Sequence, residues 1–172
     1  IGKRFEISAM RSDGSEFPVE LAINASELSG STVFTAYLRD ISKRKLAEDN
    51  LISSEERYRD LIESAHDMIY TRDLDGNNTS INAAGEKLTG YSREEFLQRN
   101  MSQIIVPEDW VRVKEIIARK LAGIEEPAYE MDMLGKDGRR ITLEVNPTVI
   151  NRAGVAIGIQ GIARDVTERK KA

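Results

Sequence analysis

The single histidine, His66, is the one imidazole available for proton transfer or metal ligation, and cysteine is absent from all 172 residues. A lone His with no second ligand at metal spacing reads as a surface residue at a helix–strand junction. Without cysteine, disulfides, thiolate nucleophiles and Cys-ligated metals fall away. Asp73-Leu-Asp-Gly76-Asn77 has the residue types of a calcium loop, but its register fails: with Gly76 in the sixth place, the first ligand would be Thr71 and the twelfth Asn82. A hairpin turn is the better reading. Gly154, Gly158 and Gly161 fall within a strand pattern, not at a strand–helix turn, and so make no dinucleotide fingerprint. No Ser/His/Asp set and no paired catalytic carboxylates emerge. The expectation is therefore no catalysis and no metal in this chain. What remains open to it is binding and relay.

Bulk properties narrow the partners. The chain is 40% hydrophobic and 31% charged, ordinary for a globular protein. A net charge of −4 and a pI near 5.2 argue against a nucleic-acid surface. No apolar run is long enough to cross a bilayer, so no membrane contact by this segment is expected, and the location is read as cytoplasmic.

The elements repeat. Asp13-Gly14 aligns with Asp137-Gly138, Val19-Glu-Leu21 with Leu143-Glu-Val145, and Asp40-Ile41 with Asp165-Val166. A repeat of this length is a tandem domain array, not a solenoid. The second copy is preceded by roughly eighty residues of its own; the first has almost none. The organisation expected is the C-terminal strands of a truncated domain over 1–41, a helical connector over 42–65, a complete domain over 66–168, and the start of an output helix over 169–172. A segment of a longer protein is expected.

The connector, Ser42 to Ala65, lacks Gly and Pro and places Ala47, Leu51, Tyr58, Leu61 and Ile62 near one helical stripe. Ser42 suits an N-cap, and Ser53 or Ser54 followed by Glu56 offers a second capping signal, at which the helix would break. Either this helix packs on a neighbour or it passes a signal between domains. In the complete domain, Asp73 to Gly76 is a hairpin turn between β-prone runs. Asn82 to Thr89 is a short helix closed by Gly90, and Ser92 with Glu95 forms a capping box for the next. Pro107-Glu-Asp-Trp110 opens a longer helix reaching about Ala122. Alternation at Tyr129, Met131 and Met133, then at Ile141, Leu143 and Val145, gives two strands, and the run to Asp165 a third. The class is α+β: an antiparallel sheet of five strands with helices on one face.

These words in this order (Asp73-Leu-Asp-Gly76, Asn82-Ala-Ala, Leu88-Thr-Gly-Tyr91, Pro107-Glu-Asp109, Lys136-Asp-Gly138 and Arg164-Asp-Val-Thr167) resemble the PAS domain, a sensory module of signalling proteins. The resemblance covers about Glu55 to Lys170, and Arg4 to Lys45 matches only the family's last three strands. It implies a cavity between helices and inner sheet face, lined here by Ile69, Phe96, Ile105, Trp110, Ile116, Ile117, Tyr129, Met131, Met133, Val145, Ile157 and Ile159. Read from the residues alone, each is a core position. The resemblance also implies that the closing Asp-Val-Thr links the sheet to the outgoing helix, so Asp165 and Thr167, with Asp40 in the first copy, are coupling residues. Glu144 and Glu20 sit beside the basic exits, with Arg164 and Arg39 as their expected partners.

Photosensors of this family that form a cysteinyl–flavin bond are excluded by the missing thiol, and His66 lies away from the usual axial-ligand helix, which argues against haem. The cofactor is unknown, and a small-molecule ligand stays open. Two readings stand: a ligand-sensing module, or a relay of a sensor histidine kinase, with relay preferred. A ligandless dimerisation module of a diguanylate cyclase or transcriptional regulator is the alternative. Because the strands near Phe5–Ala9, Phe17–Asn24 and Val33–Asp40 lack a covering layer, a homodimer is expected, alongside other domains of the parent.

Overall fold

The computed structural model describes residues 4–171. The chain divides, within the connector helix, into two compact units on either side of the Tyr58–Arg59 bond.

In the first unit, β1 (Arg4–Met10), β2 (Glu16–Leu28) and β3 (Ser31–Asp40) form an antiparallel sheet in that order. The turn between β1 and β2 is closed by Asp13, whose Oδ1 accepts the Ser15 N–H at 2.9 Å, with Gly14 at φ 85° as the left-handed residue it needs. Register places Phe5, Leu21 and Leu38 in one row and Ile7 and Val19 in the next, so one sheet face is apolar. Only Val19 on β2 and Ile41 after β3 are buried there; Phe5, Ile7, Ile23, Phe34 and Leu38 are exposed.

The helix α1 (Ser42–Ser64) runs unbroken through Ser53 and Ser54. The expected break does not occur, because Ser costs only a few tenths of a kcal/mol within a helix and neither Gly nor Pro interrupts the ladder. None of its residues is buried: Leu51, Tyr58, Leu61 and Ile62 all stay exposed.

The second unit bears out the expected class. Its sheet is β4 (Met68–Arg72), β5 (Asn78–Ile81), β6 (Tyr129–Leu134), β7 (Arg140–Arg152) and β8 (Val155–Asp165), antiparallel in the order β5-β4-β8-β7-β6. Between β5 and β6 lie α2 (Ala83–Thr89), α3 (Arg93–Leu97), a 3-10 turn (Met101–Gln103) and α4 (Pro107–Leu121). Their ends follow the sequence. Gly90 closes α2 at φ 75°, and Ser92 and Glu95 form the reciprocal capping box of α3. Pro107 sits in the first turn of α4 with Glu108 and Asp109. A short α5 (Thr167–Lys171) follows β8. The core joins the sheet's inner face to the helices through Phe96, Val113, Met133, Leu143 and Val145, all less than 2% exposed.

Candidate functional site

Strand β4 decides which side chains enter the core. Burial alternates so that Met68, Tyr70 and Arg72 face inward while Ile69 faces out, half-buried. The cavity position expected for Ile69 is thus corrected by one residue, which in a strand is the whole difference between faces. Tyr70 fits because β8 carries Gly161 beneath its ring; any Cβ there would overlap the phenol. Ile157 is a second correction. At 47% exposed it lies outside the core, because the β7–β8 ladder pairs Ile150 with Gly158 and Asn151 with Ala156, leaving Ile157 as the unpaired residue of a bulge.

The other expected lining residues come together. Phe96, Ile105, Met131, Met133 and Val145 are buried in one cluster, with Trp110, Ile117 and Tyr129 partly buried against it. Ile159 is buried on β8 opposite Arg72, and Ile116 is half-buried on α4. Burial pushes the Tyr129 hydroxyl's pKa upward, so it stays protonated. At the helix–sheet seam, Asp109 Oδ2 accepts the Asp132 N–H at 2.7 Å and Oδ1 accepts from Arg112 at 2.8 Å. Burial raises this carboxyl's pKa, but those two hydrogen bonds outweigh it and the net direction is down. The helix α4 is thereby pinned to β6.

Arg72 is the residue the sequence reading passed over. It is 5% exposed, its guanidinium lies 4.3 Å from the Tyr70 ring centroid, and Nη1 donates to Met101 Sδ at 3.0 Å. Its Nε is buried without a partner. Beside it, a groove of about 300 Å³ opens between the β4–β5 turn and α4, bordered by Leu74, Met101, Trp110, Lys114, Ile117 and Leu121. The signal that could have found Arg72 was the Met-x-Tyr-x-Arg spacing set against a glycine-bearing β8.

The entry and exit of this unit are tied by side chains. Asn82, 1% exposed, uses its whole amide: Oδ1 accepts from Ile69 N and Gly85 N, and Nδ2 donates to Ile62 O and Asp67 O. It joins the last turn of α1 to β4 and to the start of α2. Glu63 reinforces this, accepting from Ala83 N and from Arg93 at 2.9 and 2.5 Å. At the exit, Asp165 Oδ1 accepts from both Thr167 N–H (2.9 Å) and Thr167 Oγ1–H (2.5 Å). Thr167 Oγ1 in turn accepts the Thr142 N–H at 3.0 Å, and Val166 N–H donates to Thr142 O at 2.9 Å. The end of β8 and the start of α5 are thus clamped to β7.

The expected ion pairs differ. Arg164 turns to Asp67, with Nη2 to Oδ2 at 3.0 Å, which raises the Arg164 pKa. Although it faces Glu144 across the ladder, Glu144 pairs with Arg169 of α5 at 3.3 Å. Arg169 also reaches Glu130 at 3.2 Å, bridging two carboxylates that stand directly opposite one another on β6 and β7. Cross-strand like charges repel, so a cation from the outgoing helix is the favoured third party. In the first unit Glu20 faces Arg39 in register, but pairs with Arg4 at 3.6 Å.

A family model described as the PAS fold matches residues 56–166, and a second, described as a PAS domain, matches residues 1–43. A methyl sulfide methyltransferase-associated sensor of Methanosarcina acetivorans is 34% identical over 139 residues, covering 80% of this chain and 14% of the relative. The aerobic respiration control sensor protein of Escherichia coli is 27% identical over 114 residues, 66% of this chain and 15% of that protein. The chain therefore spans about one seventh of the length of these relatives. Among solved structures, a PAS domain from Colwellia psychrerythraea superposes with a TM-score of 0.62 at 26% identity, covering 66% of this chain and 98% of that one.

Proposed function

Because the chain belongs to the PAS family, a sensory rather than catalytic class of module found in signalling proteins, we propose that it relays a conformational signal through residues 59–171 to an output region, in the manner of a sensor histidine kinase. The observation that carries this reading is the exit clamp: Asp165, Thr167 and Thr142 make the first turn of α5 part of the sheet's hydrogen bonding. A shift in β7 or β8 then moves the helix start directly. Asn82 and Glu63 supply the matching link to the last turn of α1. Hydrogen bonds of about 1 kcal/mol each are the right size for a coupler, since a two-state switch needs only a few kcal/mol between its states.

The tandem arrangement and the homodimer belong to the same proposal. The first sheet carries an exposed apolar face of Phe5, Ile7, Ile23, Phe34 and Leu38, and α1 exposes Leu51, Tyr58 and Leu61. Surfaces of this kind are covered in an assembly, and a second copy of the chain is the occupant proposed. Among the described residues no helix is long and apolar enough to cross a membrane.

The test fuses the whole chain, through Ala172, to the dimerisation and catalytic core of a histidine kinase and measures autophosphorylation. Thr167→Val is expected to change the rate about fivefold or more at temperatures where the sensory unit, destabilised by about 1–2 kcal/mol, is still fully folded, a coupling in the usual allosteric range. An unchanged rate in a folded fusion overturns the relay reading.

A further inference from the structure

On that sensory reading, we infer that Arg72 anchors a subsite for a small monocarboxylate with an apolar body, entered through the groove between the β4–β5 turn and α4. An arginine offers five N–H donors in a planar fork, and when buried it is ordinarily paired with a carboxylate. Here the guanidinium sits inside the fold with Nε unpartnered, and the acceptor its Nη1 finds is a thioether, among the weakest available. Asn82, also buried in this unit, by contrast fills both its donors and accepts twice. The shortfall extends to Asn78, which stands opposite Arg72 in the β4–β5 ladder with its Oδ1 buried and unpartnered; that amide oxygen is neutral, so neither group supplies Arg72 with an anion. Stacking on Tyr70 offsets part of the cost of burying the charge and leaves the fork's edge without an anion.

The position of Met101 says how that edge would be reached. Its sulfur holds Arg72, and its side chain also packs against Gly76, whose Cβ, if present, would stand 3.2 Å from Sδ. Met101 borders the groove as well, so it separates an open cleft from a buried cation. Methionine is unbranched and has three rotatable bonds, which suits a plug that swings aside. A carboxylate replacing the thioether would gain two charge-assisted hydrogen bonds. Its body would lie against Trp110, Ile117 and Leu121, with Lys114 as a second cation and Asp75 the acid at the rim, which disfavours a dianion's second charge there. A groove of about 300 Å³ stands at the small end of ligand sites, which run from about 300 to 1,000 Å³.

Trp110 is the sole tryptophan, so its fluorescence and indole N–H report on this groove alone. The experiment titrates the full chain with benzoate, phenylacetate and isobutyrate to about 10 mM, the weak end of specific affinity, with benzamide as the neutral isostere at matched ionic strength. The expected result is a saturable Trp110 response to at least one carboxylate, about tenfold weaker for benzamide. Arg72→Met, which keeps an unbranched stem and removes the unpaired charge, is expected to melt no lower than the parent and to lose the response about tenfold. Met101→Ala is expected to tighten binding. A Trp110 signal silent to all three acids in both the parent and Met101→Ala overturns the subsite, as does equal binding of benzamide. A response retained in Arg72→Met also overturns it, placing the anion on Lys114 instead. Failure here leaves the relay reading standing, because the kinase fusion tests the exit clamp without added ligand.

Discussion

The strands of residues 4–40 and the last three strands of the second unit share their turn word, their register and their closing Asp-x-Ser/Thr, and they differ in what lies on the apolar face. Val19 and Leu143 occupy matching positions and are both buried. Around Leu143 the neighbouring Met131, Met133, Ile141 and Val145 are buried beneath helices, whereas around Val19 the neighbouring Phe5, Ile7, Ile23 and Leu38 are exposed. The hairpins are thus set by local sequence, and burial is set by the layer that follows or precedes them. The exits show a finer contrast. In both, the backbone N–H after the Asp reaches back to β2 or β7: Ile41 N to Pro18 O at 3.0 Å, Val166 N to Thr142 O at 2.9 Å. In both, the carboxylate caps the next hydroxyl residue, Ser42 or Thr167. Yet Pro18 has no N–H, so Ser42 cannot receive the bond that Thr142 gives Thr167. The first exit instead has Arg11 on Asp40 at 2.8 Å.

That contrast can be broken or sharpened by substitution. The largest effect is expected from Phe96→Ala, which should cost about 3–5 kcal/mol in urea unfolding, whereas Phe34→Ala in dilute single chains should stay within about 0.5 kcal/mol. A larger loss at Phe34 that grows with protein concentration would show a second copy covering that face. Next, Thr167→Val removes both a capping donor and the acceptor for Thr142, and should cost about 1–2 kcal/mol, against about 0.5–1 for Ser42→Ala. Pro18→Thr should make the first exit behave like the second, with the amide introduced at position 18 exchanging slowly because it donates to the Ser42 hydroxyl as Thr142 does to Thr167. Smaller still, Arg164→Ala should cost at most about 1 kcal/mol, since the pair with Asp67 is largely solvated, and the loss should shrink in high salt.

The smallest effect is a pH dependence at the first exit. The Ser42 hydroxyl and N–H, then Arg11, hold Asp40 down at about 2 from an ordinary 3.8. A carboxyl depressed on folding lends stability that is present above its unfolded value and lost as pH falls through the folded one. Carboxylate-detected NMR should therefore show Asp40 titrating near pH 2, with Ser42 exchange accelerating over pH 4 to 2. Titration at the ordinary value would mean the cap is not formed in solution.

Much of the fold was legible because its signals are local. Asp13-Gly14, Asp73 to Gly76, the Ser92–Glu95 box and Pro107 each fix a turn or helix end by chemistry within four residues. The site was less legible, because its errors come from register and long-range pairing. Choosing Ile69 over Tyr70 is a slip of one residue in a five-residue strand, where periodicity has little length to average over. Ile157 fell to a bulge, which alternation cannot foresee. The ion pairs were misassigned because Arg164 and Glu144 do face each other in the ladder, while Asp67, ninety-seven residues from Arg164, offers the better geometry. Arg72 was passed over since a strand-end arginine ordinarily points to water.

Amide hydrogen exchange at Thr142 and Val166, compared between the parent chain and Thr167→Val, tests the exit clamp most directly. The expected result is an acceleration of about tenfold at Thr142, equal to about 1.4 kcal/mol, reaching the first turn of α5 while Leu143 and Val145 keep their protection. Unchanged exchange at Thr142 would contradict the clamp, and with it the proposal that the sheet drives the outgoing helix.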